Sequence, residues 1–307
     1  MAKPARKIVW VAAAALLAAA LVAGIAVLFT SSSHGGSAVA PKQVQVGVSR
    51  SLPPPPPGAV VLGGEAGARA VALAVKGKSL TASVLGPGGN PESGLKLSFR
   101  TRGKSVQGRP CGLGCYRSAV ASAPRQVEIV LPDGTASFRI PASTQPGAAV
   151  VARAGRVFRG LRSLVYVEAL RSGPTGGLLT TWRMAAPDRL SYQIRNGAAA
   201  VVIGLRRWDQ TRPGAEWVES ESTRLNVPGP TWGGVVTNAR ILGSATVHGR
   251  PAWLLSFATP SVPAWFTVWI DKRSYRTLQL RMTAGAHFMF HRYTLFNAPL
   301  KIVPPHS

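Results

Sequence analysis

Acidic residues and cysteines are scarce in this chain of 307 residues, which contains 11 Asp and Glu and two Cys. No GxSxG nucleophile elbow occurs, and the HxxxH pattern of His287 and His291 lacks the glutamate that a zinc protease uses as its base. Asp188, Asp209 and Asp271 each lie within two residues of an Arg or Lys, where ion pairing or turn capping explains them. The sequence therefore predicts a protein that is not an enzyme.

The scarcity of acids leaves a strongly basic chain, with 36 Lys and Arg and a net charge of +25. The cations are scattered singly through strand-like segments, which is unlike a nucleic-acid groove, so we expect no nucleic-acid partner. Outside a cell, such a positive field favours anionic lipid headgroups and wall polymers. The alternative is a compositional bias towards Ala, Gly, Pro and Arg that has no functional meaning.

One long uncharged apolar run occurs, at residues 8–29. As a helix it reaches roughly 33 Å, enough to cross a hydrocarbon core of about 30 Å. Lys3, Arg6 and Lys7 precede the run, and the next cation is Lys42. The positive-inside rule then places the N-terminus in the cytoplasm and the remaining chain outside it. We predict a single-pass protein of the cell membrane.

A cleaved signal peptide is the alternative, because residues 38–40 (AVA) have the small-x-small pattern of a cleavage site. The apolar run is longer than a signal h-region of about 7 to 15 residues, and Pro41 directly after the cut is unfavourable. No cysteine follows the run closely, which excludes a lipid-anchored lipoprotein.

Composition divides the chain into a transmembrane anchor and three further regions. Residues 31–58 are rich in Ser, Gly and Pro and predict a tether. Residues 59–145 have short apolar stretches between turn signals and predict an immunoglobulin-like β-sandwich. Residues 146–305 begin with helical spacing and continue with strand-length segments, which predict one amphipathic helix and a long antiparallel curved sheet. The predicted fold is therefore mainly β, with residues 1–30 as the anchor.

Individual strands are predicted from apolar stretches of strand length. The predicted strands are residues 71–75, 80–85, 95–99, 127–131, 136–140, 164–170, 178–184, 189–194, 199–205, 252–258, 264–270, 276–283 and 286–296. An irregular or partly helical insert that holds Trp232 is predicted between residues 226 and 243.

Several short motifs resemble the extracytoplasmic tail of actinobacterial copper-resistance D family membrane proteins. These motifs are residues 111–116 (CGLGCY), 186–190 (APDRL), 202–204 (VIG) with 207–208 (RW), 263–266 (PAWF), 286–289 (AHFM) and 304–305 (PP). The resemblance covers roughly residues 60–305. In that family the tail follows a multi-helix copper-transport domain, which these 307 residues do not contain. The resemblance implies an accessory role in copper handling at the cell envelope, with a copper-transport membrane protein as a partner.

The order of elements after residue 146 is also similar to the lipoprotein-carrier fold of periplasmic lipid-binding proteins. That likeness implies a half-barrel cavity for a lipid or another apolar ligand, as a carrier or a sensor. A purely structural adaptor between proteins is a third class that the sequence leaves open.

The two cysteines, Cys111 and Cys115, are four residues apart in a compartment where disulfides persist. A structural disulfide is expected. Metal-binding thiolates and redox exchange are the alternatives, although the spacing is not that of a thioredoxin-like CxxC site.

Seven of the eight tryptophans lie beyond residue 180. In a sheet wrapped around an apolar interior, Trp253, Trp265 and Trp269 could line a cavity for an acyl chain, as the likeness to lipoprotein carriers implies. The alternative is that they fill a solid core.

The last predicted hairpin offers candidate copper ligands. Strand alternation places His287, Met289 and His291 on one face, and a two-residue turn at residues 284–285 would set Met282 opposite His287. Thioether and imidazole groups together suit Cu(I). Packing of the four side chains in the core is the alternative, and a one-residue slip of the partner strand would move Met282 to the other face.

Overall fold

The computed structural model describes residues 52–260 and 262–305. In these residues it contains three antiparallel sheets and one helix. No helix in the described ranges is both long and apolar enough to cross a membrane. The predicted anchor, residues 1–30, lies outside the described residues, as does most of the predicted tether, residues 31–58.

Two sheets that share one core form the first folded unit. Its strands are β1 (Val60–Ala66), β2 (Arg69–Lys76), β3 (Ser79–Leu85), β4 (Ser98–Thr101), β5 (Lys104–Gln107), β6 (Arg109–Gly112), β7 (Cys115–Ala119), β8 (Gln126–Leu131) and β9 (Gly134–Arg139). The orders are β1-β2-β3-β7-β6 and β5-β4-β8-β9. Buried Leu73 from the first sheet meets buried Phe99 and Ile129 from the second. The immunoglobulin-like nature of this unit stays a prediction.

One sheet of twelve strands and one helix form the rest of the described chain. The elements are β10 (Gln145–Pro146), α1 (Ala148–Arg159), β11 (Ser163–Arg171), β12 (Leu178–Ala185), β13 (Arg189–Ile194), β14 (Ala199–Ile203), β15 (Arg206–Gln210), β16 (Val218–Glu221), β17 (Thr237–Val247), β18 (Arg250–Thr259), β19 (Ala264–Asp271), β20 (Thr277–Ala284) and β21 (His287–Phe296). Their order is β10-β17-β18-β19-β20-β21-β11-β12-β13-β14-β15-β16. The predicted mainly β chain with one helix and one large curved antiparallel sheet is confirmed.

Helix α1 covers one face of the large sheet, which we call the helix side. Val151, Ala154 and Phe158 are buried at intervals of three and four residues, so they form a single apolar stripe. This stripe packs in one core with helix-side residues such as Leu255 and Phe266. The amphipathic helix predicted at the start of this region is therefore confirmed.

The opposite face of the large sheet packs against the first unit, and we call it the sandwich side. Trp265 and Phe288 are buried there against small residues of β1 and β2. Gly63 allows this close approach, because a Cβ at that position would lie 2.9 Å from side-chain atoms of both Thr283 and Trp265. The end of the predicted tether is also attached, since Asn238 Nδ2 donates to Pro56 O at 2.7 Å.

Except for β17, the strands of eight or more residues were predicted within a few residues, whereas several shorter ones were missed. The predicted strands included neither β1 nor the short strands β5, β6, β7, β10, β15 and β16. The predicted insert is irregular at residues 222–236, but β17 begins at Thr237 and continues to Val247. The prediction that the insert extends to residue 243 is therefore wrong for residues 237–243. Strand β17 has bulges and little alternation of burial, which hides it from a periodicity argument.

The register of the last hairpin differs from the predicted one. Ala284 pairs with His287, so the turn is residues 285–286 and Met282 lies opposite Met289. The predicted pairing of Met282 with His287 is wrong. Gly285, which is a turn residue in both registers, packs closely on the first unit, because a Cβ at this position would lie 2.2 Å from the Cα of Gly89. Only glycine fits there.

Candidate functional site

A row of aromatic side chains crosses the helix side of the large sheet. Tyr293, Tyr166, Trp182 and Tyr192 are successive cross-strand partners on β21, β11, β12 and β13. We call these four residues the aromatic row. The ring centroids are 5.2 Å apart for Tyr166 and Tyr293, and 4.9 Å apart for Trp182 and Tyr192. Because all four are buried, the row forms a continuous apolar wall.

One polar atom in this wall has no partner. The side chain of Trp182 is buried, and its Nε1–H has no hydrogen-bond acceptor among the described residues. A buried donor without an acceptor is uncommon and destabilises a fold by about 1–3 kcal/mol. The position is therefore suited to an acceptor atom that the protein itself does not supply.

A buried acid–histidine pair lies one row away on the same side of the sheet. Glu168 and His291 are direct cross-strand partners, and Glu168 Oε2 lies 2.7 Å from His291 Nε2. His291 Nδ1 lies 3.2 Å from the hydroxyl oxygen of Tyr293. With its proton on Nε2, His291 donates to Glu168 and accepts from Tyr293. Both ring nitrogens are thus engaged within the protein.

The two tyrosines beside this pair are hydrogen-bonding groups and not bases. Burial raises the pKa of Tyr166 well above its ordinary value, and the nearby charge of Glu168 raises it further. Burial likewise raises the pKa of Tyr293, against a smaller opposing effect of the hydrogen bond with Thr231. Both phenols therefore stay neutral at any physiological pH.

Two parts of the chain cover the helix side, namely the end of α1 and the irregular residues 222–236. We call residues 222–236 the cover segment. Phe158 of α1 packs edge to face on Tyr293, and Trp232 of the cover segment packs edge to face on Phe257. The backbone of the cover segment is attached through bonds such as Val227 N–H to Pro187 O, at 3.0 Å. No ladder of strand pairing holds it.

The four predicted copper ligands share the helix side, as strand alternation predicted, but in different surroundings. Met282 and Met289 are opposite each other and buried in the core. His287 is half-buried, with Nδ1 3.0 Å from Gly285 O, whereas His291 is bonded to Glu168. No cluster of three or more His, Cys, Asp or Glu with metal-site geometry occurs in residues 52–260 and 262–305. The copper site stays a prediction.

The three tryptophans predicted to line one cavity lie on two different faces of the sheet. Trp253 pairs with helix-side Ile270 and packs on Tyr275, with centroids 5.1 Å apart. Trp265 is buried against the first unit, and Trp269 packs with a separate small cluster around Leu278. The structure therefore brings only one of the three to the side where the aromatic row lies.

The expected disulfide between Cys111 and Cys115 is confirmed. It closes the β6–β7 hairpin of the first unit, far along the chain from the helix side. The bond therefore stabilises a turn and contributes no thiolate to a metal site.

The residues of the aromatic row and Glu168 were not singled out from the sequence. The sequence did contain one signal, a single acid within an otherwise apolar predicted strand. Glu168 lies two residues from both Tyr166 and Leu170 and therefore on the same face of that strand. An acid on the buried face of a strand needs a partner. The sequence does not identify that partner as His291.

Among known proteins, the chain is similar only to solved structures. No protein-family model matches the chain, and no curated protein does. The lipoprotein LppX of Mycobacterium tuberculosis is 16% identical, with a TM-score of 0.40 over 50% of this chain and 97% of that one. LprF of Mycobacterium bovis is 12% identical, with a TM-score of 0.39 over 52% of this chain and 96% of that one.

A LolA superfamily protein of Nitrosomonas europaea is also similar, at 10% identity and a TM-score of 0.25 over 52% of this chain and 96% of that one. These values assign no ligand to the chain. The resemblance to copper-resistance D proteins, with the copper role and the copper-transport partner that it implies, stays a prediction.

Proposed function

We propose that this protein is a binding protein for an apolar ligand that carries a hydrogen-bond acceptor, such as an acyl ester. The ligand would lie along the aromatic row on the helix side of the large sheet. The observation that carries the proposal is the buried, unpartnered Nε1–H of Trp182 within an otherwise apolar wall. The wall supplies affinity for the chain of the ligand, and the indole N–H supplies a bond to its oxygen.

The apolar wall crosses five neighbouring strands, β21, β11, β12, β13 and β14. The aromatic row continues into the aliphatic side chains of Ile194, Ala200 and Val202 on β13 and β14. Each methylene of a ligand that leaves water for such a surface contributes about 0.8 kcal/mol. A chain of about ten methylenes would contribute roughly 8 kcal/mol before the costs of association are subtracted.

Access to this wall requires displacement of the cover segment. Segments with few backbone bonds and few buried contacts open at a lower free energy than the strands they cover. Trp232 is the large buried side chain of the cover segment, and Gly233 and Gly234 beside it have open space around the position of a Cβ. We propose that Trp232 leaves its place on Phe257 when the ligand enters.

The polar pair beside the wall favours a ligand with an uncharged polar group near the row. Glu168 and His291 already bond each other, so neither presents a free charge to a ligand. A fatty acid carboxylate would have to be buried close to Glu168, which is unfavourable. An ester or amide carbonyl can accept from Trp182 without that cost.

The experiment is a displacement assay on the full-length protein in a mild detergent. A fluorescent acyl probe without a free carboxylate, the methyl ester of cis-parinaric acid, is displaced by monolaurin, whose ester carbonyl is the acceptor. Trp182→Phe should weaken monolaurin binding about three- to tenfold, the loss of one hydrogen bond. The matched control is Trp269→Phe, the same chemical change away from the helix side, which should leave the affinity unchanged.

Native mass spectrometry of protein purified from its host gives an independent test. A co-purifying ester lipid in the wild type that is depleted in Trp182→Phe is the expected result. Absence of monolaurin binding, or equal effects of the two Trp→Phe changes, would overturn the proposal. The location outside the cytoplasm on an N-terminal anchor is a separate expectation from residues 1–30.

A further inference from the structure

A concave site lies at the end of the large sheet, next to Tyr293 at the end of the aromatic row. It has a volume of about 340 Å³ and is formed where the β17–β18 turn meets the start of β20 and the end of β21. Its lining residues include Val247, Arg250, Leu278, Arg292, Tyr293 and Phe296. We call this site the basic pocket. Its volume is at the lower end of the range for small-molecule sites.

The floor of the basic pocket is apolar and its rim is cationic. Val247 and Leu278 are 5% and 4% exposed, and both belong to one small apolar cluster together with half-buried Phe296. Arg250 and Arg292 are exposed at the rim. A pocket with this division of surface fits a molecule with an apolar end and an anionic end.

Arg292 is available for an anion. Within residues 52–260 and 262–305, no carboxylate oxygen lies within 4 Å of its guanidinium. A guanidinium presents paired N–H donors that match the oxygens of a phosphate or carboxylate. Arg292 is therefore the group of the rim that can contact an anion without breaking an ion pair.

Arg250, the other cation of the rim, is held in place by an ion pair. Its Nε lies 3.2 Å from Asp271 Oδ2. Asp271 is itself fixed, because its Oδ1 accepts from the backbone N–H groups of Arg273 and Ser274 at 3.0 and 2.7 Å. A guanidinium has five N–H donors, so the remaining donors of Arg250 are free for a ligand.

A third cation supports the apolar wall of the pocket. The guanidinium of Arg276 lies 5.2 Å from the ring centroid of Phe296. This contact stabilises the ring and adds positive charge near the pocket. Arg250, Arg276 and Arg292 together outweigh the single negative charge of Asp271, so the local field attracts anions.

We propose that the basic pocket binds a phosphate monoester with an apolar substituent. The phosphate contacts Arg292 and Arg250, and the substituent packs on Leu278 and Phe296. Such a group occurs in free aryl or alkyl phosphates and in the headgroup of a lysophosphatidate. The basic pocket and the acyl-ligand site share Tyr293 as a lining residue, but Arg250, Leu278, Arg292 and Phe296, which contact the phosphate monoester, are not part of the aromatic row.

The experiment is calorimetric titration of the full-length protein in a zwitterionic detergent with three compounds. These are inorganic phosphate, phenyl phosphate and a short-chain lysophosphatidate. Phenyl phosphate should bind more tightly than inorganic phosphate, because the apolar floor contributes only to the former. Tighter binding of the lysophosphatidate than of phenyl phosphate assigns the site to a lipid headgroup, provided that Arg292→Gln weakens it and Trp182→Phe does not, because lysophosphatidate also carries an acyl ester. The reverse order assigns the site to a free phosphate monoester.

Arg292→Gln should weaken phenyl phosphate binding by about fivefold or more, and Arg292→Lys should restore part of the loss. The matched control is Arg281→Gln, which removes an exposed positive charge from β20 at a position that does not line the pocket. Because Arg292 and Arg281 are both exposed, both variants should fold, which a thermal melt checks.

Three results would overturn the proposal. They are no binding of phenyl phosphate, equal affinities for inorganic and phenyl phosphate, and equal losses in Arg292→Gln and Arg281→Gln. The last would mean that net charge alone attracts the anion. None of them bears on monolaurin binding at the aromatic row, so the two proposals fail separately.

Discussion

Trp182 lies directly opposite Tyr166 on the neighbouring strand, and their rings stack with centroids 6.0 Å apart and planes 9° from parallel. Stacking fixes the position of the indole but satisfies no hydrogen bond, so the Nε1–H remains unpartnered. The ring is thus retained by packing while its polar atom stays available.

This relationship predicts opposite effects of Trp182→Phe on stability and on binding. Loss of an unsatisfied donor should leave the free energy of unfolding unchanged or raise it by about 1 kcal/mol, although the smaller ring fills the site less well. Urea denaturation of the ligand-free protein measures this. A loss of several kcal/mol would show that the Nε1–H is satisfied in solution. Trp182→Ala, which removes the ring, should cost about 3–5 kcal/mol.

The Glu168–His291 pair should be costly to break from one side. Glu168→Ala leaves His291 buried without its partner and should lower the free energy of unfolding by about 3–5 kcal/mol. The double variant Glu168→Leu with His291→Leu should recover most of this loss, because two apolar groups replace two polar ones. The control is Glu128→Ala, which breaks a partly exposed ion pair with Arg100 and should cost less than about 1 kcal/mol. Equal losses in Glu168→Ala and in Glu128→Ala would contradict the buried pairing.

Asp271 predicts a pH dependence of stability. Burial alone would raise its pKa, but hydrogen bonds from Ser274 and Arg273 and the charge of Arg250 lower the pKa overall, below its ordinary value of 3.8. The folded chain therefore binds this proton less readily than the unfolded chain. The stabilisation is present in full above about pH 4 and is lost as the pH falls through the folded-state pKa.

The test compares Asp271→Asn with the wild type by urea denaturation between pH 7 and pH 3. The variant should be about 1–3 kcal/mol less stable at pH 7, and the difference should narrow below about pH 4. Ser274→Ala, which removes one donor to Asp271, should show a smaller effect with the same pH dependence. A difference that does not change with pH would contradict the lowered pKa.

Removal of the disulfide should have a modest effect, because the bond closes a short loop. The Cys111→Ser and Cys115→Ser double variant should lose about 2 kcal/mol on the chain-entropy model. Thermal melts with and without reductant measure it, and reduction should destabilise the wild type but not the double variant. A loss large enough to unfold the first unit would mean that the bond does more than restrict a short loop.

Sequence periodicity was informative where an element is long and has one apolar face. Helix α1 was predicted because helical spacing repeats along it, and strands such as β11 and β19 were predicted because each is an apolar stretch of strand length. Strand β16 has four exposed residues, and β15 is largely polar. Such strands form because a neighbour offers backbone partners, and their own side chains carry no signal of burial.

The register of the β20–β21 hairpin, whose turn lies one residue further along the chain than the predicted one, shows the same limit of local sequence patterns. The sequence correctly placed His287, Met289 and His291 on one face, since alternation within a strand is local. In the structure the turn is residues 285–286, where Ala286 has a positive φ of 57° and Gly285 packs on Gly89, which is far away in the chain. Alternation within one strand does not fix where the turn lies, so it does not specify which residue lies opposite Met282.

The sequence by itself determined the mainly β character, the helix and the closure of Cys111 on Cys115, because each depends on residues within a few positions of one another. Only the tertiary structure decided that β21 pairs with β11, which joins Glu168 to His291 across 123 residues and builds the aromatic row. It also decided which tryptophans lie on the helix side. The physical reason is that strand neighbours in a sheet are chosen by the burial and backbone pairing of the whole sheet, which no local pattern specifies.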